Sequence, residues 1–287
     1  MDFGKVLTAM VTPFNEENQL DLERVTTLVE HLIANGTEGL VVAGTTGETP
    51  TLTHDEKIKL IDHVVKVVNK RIPVIAGTGT NDTPVSVELT QEVETLGVDA
   101  IMLVNPAYNK PNQRGLYQHF KMIAESTNLP IMLYNIPGRT AVNMTAETTI
   151  ALSEIDNIVS IKEASGDIHQ ISKIIENTPD DFSVYCGDDG MTLPLMSIGA
   201  NGIVSVASHI IGNEINEMVQ TFLSGDVRKA AKLHRTLLPT MEAMFIAPSP
   251  SPVKAALNMS GIEVGNVRMP LVEIDKSEEK FIKNILF

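Results

Sequence analysis

The residue with the clearest chemical potential is Lys162, near the end of the alternating run 158–163. Successive side chains of a strand point to opposite faces, so Ile158, Ser160 and Lys162 share one face. If that face points into a closed barrel, Lys162 lies at the carboxyl-terminal mouth, where barrel enzymes keep their chemistry. A lysine held there among apolar neighbours can lose its charge and attack a carbonyl as a free amine. The alternative is a structural lysine whose ammonium reaches solvent from a strand end.

A small polar turn follows the second apolar run, in the order Gly44-Thr45-Thr46-Gly47-Glu48. Glycines on both sides let the backbone turn tightly, which brings amides and two hydroxyls together. Such a turn can hold a carboxylate without a positive charge. The alternative for Thr45 and Thr46 is a plain turn before a helix.

Two of the four tyrosines lie at the carboxyl ends of predicted strands. Tyr108 comes after the fourth apolar run, and Tyr134 lies at the end of the fifth. A hydrogen-bonded phenol near a lysine and a threonine hydroxyl can pass protons. Aromatic packing under a loop is the alternative for each tyrosine. Arg139, shortly after Tyr134, offers a planar fork for a carboxylate, or a surface ion pair.

All these candidates fall on one face of one predicted barrel, and independent surface placements would rarely converge in this way. Lys162 would still need tuning, because at an unperturbed pKa of about 10.4 only about one molecule in 2,500 is neutral at pH 7. Lowering that pKa to about 7–8 destabilises the charged form by roughly 3–5 kcal/mol. A mostly apolar barrel mouth can impose this.

Eight short apolar runs alternate with amphipathic helical segments. The runs begin near Val6, Gly39, Pro73, Ala100, Ile131, Ile158, Phe182 and Gly202. Between them Thr53 and Glu56 form a capping box, and Pro84 fits a first helical turn. Eight βα units predict an α/β fold, a (βα)8 TIM barrel. A doubly wound open sheet is the alternative, weakened because no G-x-G-x-x-G fingerprint follows the first run.

The alternation stops beyond about Gly225. We predict a (βα)8 catalytic barrel over residues 1–224 and a C-terminal helical extension of about three helices over residues 225–287. The three helices are expected at residues 226–245, from Ser251 with Pro252, and after a cap at Ser277.

The composition limits the classes of partner that the chain is expected to bind. The formal net charge of −14 argues against a nucleic acid or an anionic membrane, since phosphate binding needs clustered Lys and Arg. Cys186 is the only cysteine and is expected to be a small buried residue, and the seven histidines show no metal-ligand spacing. Capping is the favoured role of Asp188-Asp189, with a hard cation as the alternative. No apolar run approaches the ~20 residues of a membrane span, and residues 1–5 show no secretory signal. A soluble cytoplasmic protein without a metal site is expected.

Three segments together resemble the signatures of the dihydrodipicolinate synthase family of bacterial lysine biosynthesis. They are residues 44–48, Tyr134-Asn135-Ile136-Pro137-Gly138-Arg139-Thr140 and Ile161-Lys162-Glu163-Ala164-Ser165-Gly166. Residues 115–120 and 187–189 fit as well. The resemblance runs from about Lys5 through the barrel and is least specific in the C-terminal helices.

The resemblance implies a class I aldolase-type condensation of pyruvate with L-aspartate-4-semialdehyde, giving 4-hydroxy-tetrahydrodipicolinate for lysine and diaminopimelate biosynthesis. Lys162 would form a Schiff base with pyruvate, whose carboxylate would rest on Thr45 and Thr46. Tyr134 would give and take protons, linked through Thr45 to Tyr108, a tyrosine that the family lends across a subunit interface. A homodimer is therefore the smallest implied unit, with a homotetramer as the alternative.

The resemblance also implies that Arg139 holds the semialdehyde carboxylate. Gly187 and Val204 would contribute main-chain groups near the bound pyruvate. No metal or organic cofactor is implied, because the imine nitrogen is the electron sink.

Two alternatives stay open. An N-acetylneuraminate lyase or another 2-keto-3-deoxy sugar-acid aldolase shares the lysine and the Tyr-Asn-Ile-Pro segment but generally lacks the Gly-Arg-Thr at 138–140. Arg139 suits a short acidic aldehyde better than a polyol, which favours the synthase. A catalytically silent metabolite-binding homologue would have lost Lys162, Tyr134 or the threonines, and all are present.

The chain departs from lysine-inhibited members of this family at their regulatory pocket. A histidine, a glutamate and a second tyrosine there match Lys57, Val85 and Ala107, while His54 and Asn81 are retained. These exchanges remove several charge-assisted contacts to the effector. Weak or absent feedback inhibition by lysine is predicted.

Overall fold

The structure is a computed structural model that describes residues 2–287. Its eight strands pair in chain order into a closed parallel barrel, which confirms the predicted fold class. The strands are β1 (Val6–Ala9), β2 (Gly39–Val42), β3 (Val74–Gly77), β4 (Ala100–Val104), β5 (Ile131–Asn135), β6 (Ile158–Glu163), β7 (Ser183–Cys186) and β8 (Gly202–Ser205).

Six of the eight strands begin at the predicted residue, and β3 and β7 begin one residue later. The runs could be located because nearly every strand residue is buried. Parallel strands are covered on both faces and therefore read as continuous apolar segments.

Helices follow the strands. Residues 2–287 contain α1 (Leu22–Ala34), α2 (His54–Val68), α3 (Thr83–Glu94), α4 (Gln113–Ala124), α5 (Pro137–Thr140), α6 (Ala146–Ser153), α7 (Ile168–Asn177), α8 (Thr192–Met196), α9 (Ser208–Leu223), α10 (Val227–Ala243), α11 (Ser251–Met259) and α12 (Lys276–Leu286). Short 3₁₀ turns lie at Thr49–Thr51 and Asp189–Met191.

The predicted caps are confirmed at α2 and wrong at α12. Thr53 and Glu56 form both hydrogen bonds of a capping box at the start of α2. The last helix is capped by Asp275, which forms a capping box with Glu278, and Ser277 already lies inside it. Asp275 is the residue with a glutamate three positions later, which is the spacing that a capping box needs.

Contacts within the chain define two compact units. The first contains residues 2–3 and Ile75–Val204, and the second contains Gly4–Val74 and Ser205–Phe287. The second unit includes α10, α11 and α12, the three helices expected after residue 225. The division into a catalytic barrel at 1–224 and an extension at 225–287 stays a prediction.

Two further observations concern the whole described chain. No helix within residues 2–287 is long and apolar enough to cross a membrane. Over the same residues, no three His, Cys, Asp or Glu side chains are grouped as metal ligands.

Cys186 is buried, as predicted. Met1, which belongs to the segment inspected for a secretory signal, lies outside the described residues.

Candidate active site

Lys162 and Tyr134 lie side by side at the carboxyl ends of two neighbouring strands. Each is the last residue but one of its strand, and the two are paired in the register of β5 and β6. Both are buried, with 4% and 3% of their surfaces exposed. The Lys162 Nζ lies 4.4 Å from the centroid of the Tyr134 ring. The structure therefore brings the predicted nucleophile and the predicted proton carrier together.

Burial tunes the amine of Lys162. Loss of solvent lowers its pKa to about 8; the carboxylate of Asp189 opposes this shift and the guanidinium of Arg139 adds to it. The Nζ donates no hydrogen bond to any group within residues 2–287. A buried lysine without a close anionic partner loses its proton more readily, which is what a nucleophilic amine needs.

Gly187 lies against Lys162, and the packing there leaves no room for a side chain at position 187. A Cβ at this position would lie 2.8 Å from the Ala164 Cβ and 3.1 Å from the Lys162 Cε. The Gly187 amide donates to the carbonyl of Glu163 at 2.8 Å. Val204, the other residue with a predicted main-chain role, is buried on β8. Both roles stay predictions.

Arg139 and Tyr108 are exposed. Arg139 lies on the short helix α5, and the positive charge of its guanidinium lowers the pKa of Lys162. Tyr108 has 91% of its surface exposed and a φ of 74°, in the left-handed region that non-glycine residues rarely adopt. Its loop is held by Asn81, which donates to the carbonyl of Ala107 at 3.3 Å. Tyr108 is therefore held outward and is not packed against Tyr134 within this chain.

Thr45 and Thr46 lie in a tight turn of the second unit. The Glu48 amide donates to the carbonyl of Thr45 at 3.0 Å, and the Thr12 hydroxyl donates to the carbonyl of Gly47 at 2.6 Å. Gly47 is closely packed, because a Cβ there would lie 3.1 Å from the carbonyl oxygen of Met10 and 3.3 Å from the backbone of Ala43.

Within residues 2–287, neither the hydroxyl of Thr45 nor that of Thr46 has a hydrogen-bond partner.

A polar network behind the strand ends that carry Tyr134 and Lys162 was missed by sequence reasoning. Glu163 is 1% exposed, and its carboxylate accepts hydrogen bonds from Asn135 (3.1 Å to each oxygen), from the Ser165 amide (2.8 Å) and from Gln170 (3.3 Å). Asn135 accepts in turn from Asn105 at 2.7 Å. Burial raises the pKa of Glu163, and these donors oppose that rise.

The network joins the ends of β4, β5 and β6, directly behind Tyr134 and Lys162. Asn135 and Glu163 are the residues that follow Tyr134 and Lys162 on their strands, and they too are paired in the register. The signal for it was a charged residue on the strand face that otherwise carries Val159 and Ile161.

The pair Asp188-Asp189 divides into two roles. Asp188 accepts a hydrogen bond from the Gly190 amide at 3.0 Å, which confirms the predicted capping of the following turn. Asp189 is 2% exposed, and its charge acts on Lys162. Sequence reasoning did not indicate that the charge of Asp189 acts on Lys162.

Known proteins resemble this chain over its full length. The sequence profile of the dihydrodipicolinate synthetase family matches residues 2–287. The 4-hydroxy-tetrahydrodipicolinate synthase 1 of Halalkalibacterium halodurans is 62% identical over 280 residues, 98% of this chain and 95% of the relative. Dihydrodipicolinate synthase from Bacillus anthracis has a crystal structure that matches with a TM-score of 0.98 at 56% identity, covering 100% of this chain and 98% of that chain.

A structure of the synthase from Cyanidioschyzon merolae with lysine bound gives a TM-score of 0.97 at 45% identity, covering 99% of this chain and 97% of that chain. The family profile and these relatives agree along the whole described chain. The chain therefore belongs to the dihydrodipicolinate synthetase family.

Proposed function

We propose that the protein condenses pyruvate with L-aspartate-4-semialdehyde to give 4-hydroxy-tetrahydrodipicolinate, through a Schiff base on Lys162. The observation that carries the proposal is the buried amine of Lys162, whose pKa is lowered to about 8, beside Tyr134 in a chain of this family. High identity to proteins named as the synthase supports the choice of substrates.

The chemistry begins at the Lys162 nitrogen. The neutral amine attacks the keto carbon of pyruvate, and the keto oxygen leaves as water, which gives an imine. Loss of a proton from the methyl carbon gives an enamine, with the electron pair drawn toward the imine nitrogen. The enamine carbon then attacks the aldehyde of the semialdehyde and forms the new carbon–carbon bond. The amino group of the bound semialdehyde portion attacks the imine carbon, which closes the ring and releases Lys162 as the free amine. No metal or organic cofactor is required in this scheme.

Tyr134 is proposed to carry the protons. Its phenol lies beside the amine, so it can protonate the departing oxygen and later the new alkoxide. Thr45 links it to Tyr108 of a neighbouring subunit, which connects the site to solvent. The outward-facing side chain of Tyr108, on a backbone with a φ of 74°, supports this part of the proposal. A homodimer is then the smallest competent unit, and a homotetramer would contain two of them.

The two carboxylates of the substrates are held by different groups. Thr45 and Thr46 bind the pyruvate carboxylate with hydroxyls and amides, with main-chain help from Gly187 and Val204. Arg139 binds the carboxylate of the semialdehyde with its planar fork. A protein of this kind would act in the cytoplasm, on the pathway to diaminopimelate and lysine.

The experiment is reduction of the protein with borohydride in the presence of pyruvate, followed by peptide mass spectrometry. We expect a pyruvyl adduct on Lys162 and none in Lys162→Arg. Initial rates with aspartate semialdehyde and with sugar aldehydes then identify the second substrate. A folded wild-type protein without an adduct would refute the proposal. An adduct with turnover only on sugar aldehydes would assign the chain to the sugar-acid aldolases instead.

A further inference from the structure

An ion pair that the proposed chemistry does not use lies buried in the second unit, directly after the two threonines. Glu48 is 3% exposed and Lys254, on α11, is 1% exposed. The Lys254 Nζ lies 2.7 Å from Glu48 Oε1 and donates to the carbonyl of Asn266 at 2.7 Å. The other carboxylate oxygen, Oε2, accepts from the amide of Arg268 at 2.8 Å. Each charge therefore has its partners inside the protein.

The aromatic ring of Phe14 contacts two cations, Lys254 and Arg268. Its ring centroid is 4.2 Å from the Lys254 Nζ and 4.1 Å from the guanidinium carbon of Arg268, distances at which a cation is attracted to an aromatic face. Arg268 also forms a bidentate pair with Glu56 at 2.6 and 2.9 Å. The C-terminal segment thus holds both ends of the stretch 48–56.

The backbone of Glu48 connects the buried ion pair to the turn that contains Thr45 and Thr46. Its amide bonds the carbonyl of Thr45, and its φ of 56° lies in the left-handed region, which a non-glycine residue keeps only when its surroundings fix it. Lys254 and Arg268 fix its side chain. A buried ion pair is a weak source of stability, since apolar residues of similar volume often do as well. Its presence here is better explained by the conformation that it selects.

We infer that the Glu48–Lys254 pair is a positioning device, through which the C-terminal helices hold Thr45 and Thr46 in the conformation that binds the carboxylate of pyruvate. The inference rests on the proposed function, in which these threonines bind pyruvate. Neither Glu48 nor Lys254 touches substrate in this scheme. Loss of the pair should weaken pyruvate binding and, because Thr45 also belongs to the proposed proton relay, lower kcat, while semialdehyde binding stays in place.

The test uses the full chain with Glu48→Gln, with Lys254→Met and with both, each substrate being varied while the other saturates. We expect the KM for pyruvate to rise by about tenfold in each single variant and kcat to fall through the displaced Thr45, while the KM for the semialdehyde stays within about twofold. The double variant should show the same rise, because either change breaks the same contact. Lys283→Met removes an exposed pair with Glu279 on α12 and is the matched control, expected to keep the wild-type KM.

A wild-type KM for pyruvate in folded variants, with only a lower melting temperature, would assign the pair to stability alone and overturn the inference. Lys254→Met leaves the carboxylate of Glu48 buried without its cation and is the variant most prone to unfold. If Lys254→Met unfolds, the double variant tests the inference instead, because it removes both charges of the pair. Absence of an adduct in the wild-type protein would overturn the proposed function, and the inference with it, before any variant is measured.

Discussion

The pH dependence of imine formation follows from the burial of Lys162. Burial lowers the pKa of this lysine to about 8, so about one molecule in eleven carries a neutral amine at pH 7. At an ordinary pKa near 10.4 the fraction would be about one in 2,500. At pH 7 the buried amine should therefore react roughly 200-fold faster than an exposed lysine of equal intrinsic reactivity.

The assay mixes the protein with saturating pyruvate and quenches with excess borohydride at timed intervals, from about pH 6 to about pH 10.5. Below about pH 8 the rate should rise about tenfold per pH unit, and above it the rate should level off. Arg139→Met removes a charge that lowers the pKa of Lys162, so the midpoint should move upward. Lys162→Arg gives the background. A wild-type midpoint near 10 would refute the reasoning, because the ammonium would then be as stable at the barrel mouth as in water.

The same pKa shift affects stability, with a defined sign. The unfolded chain keeps the ordinary pKa of Lys162, so between about pH 8 and pH 10.5 it binds a proton that the folded chain has released. Stability therefore rises with pH across this window, and below it the full burial cost of about 3 kcal/mol is present. Lys162→Met should be more stable than the wild type at pH 7, by an amount that shrinks toward pH 10.5. Denaturant unfolding at both pH values measures it, and a pH-independent difference would contradict the burial cost.

Three further predictions concern other residues. Tyr134→Phe should lower kcat by about 10²–10⁴-fold while the pyruvate adduct still forms, as steady-state rates and mass spectrometry would show; an unchanged kcat would remove the phenol from the mechanism. Glu163→Gln places an amide donor among three donors and should destabilise the fold by about 1–3 kcal/mol in denaturant unfolding, whereas wild-type stability would mean that the network is dispensable. L-Lysine should inhibit weakly or not at all, because Lys57 and Val85 replace the charged contacts of the regulatory pocket, and an inhibition constant in the low-millimolar range or tighter would contradict this.

The barrel could be predicted from the sequence because its signals are local. Each parallel strand is an apolar run, and each helix carries its own caps and apolar face. The later start of β3 has a local explanation as well. Pro73 has no amide to donate to a neighbouring strand, although its carbonyl accepts from Leu40, so β3 begins one residue later.

The supporting groups of the site could not be predicted, because their partners are distant in the sequence. Asn135 and Glu163 are 28 residues apart, and only the register of β5 and β6 brings them together. Glu48 and Lys254 belong to a turn near the second strand and to a helix near the C-terminus, with no shared motif. Sequence patterns therefore located the residues proposed to react and did not reveal the groups that hold them.

Two buried lysines show why burial alone does not make a nucleophile. Burial lowers the pKa of both Lys162 and Lys254 to about 8, in Lys254 against the pull of Glu48. Lys254 nonetheless has a carboxylate and a carbonyl oxygen at 2.7 Å, so its ammonium is held and its lone pair is not available. Lys162 has no hydrogen-bond acceptor within residues 2–287 and lies beside a phenol. Pyruvate and borohydride should therefore label Lys162 and leave Lys254 unmodified in the same digest. Comparable labelling of both would mean that burial, rather than the lack of a partner, governs reactivity.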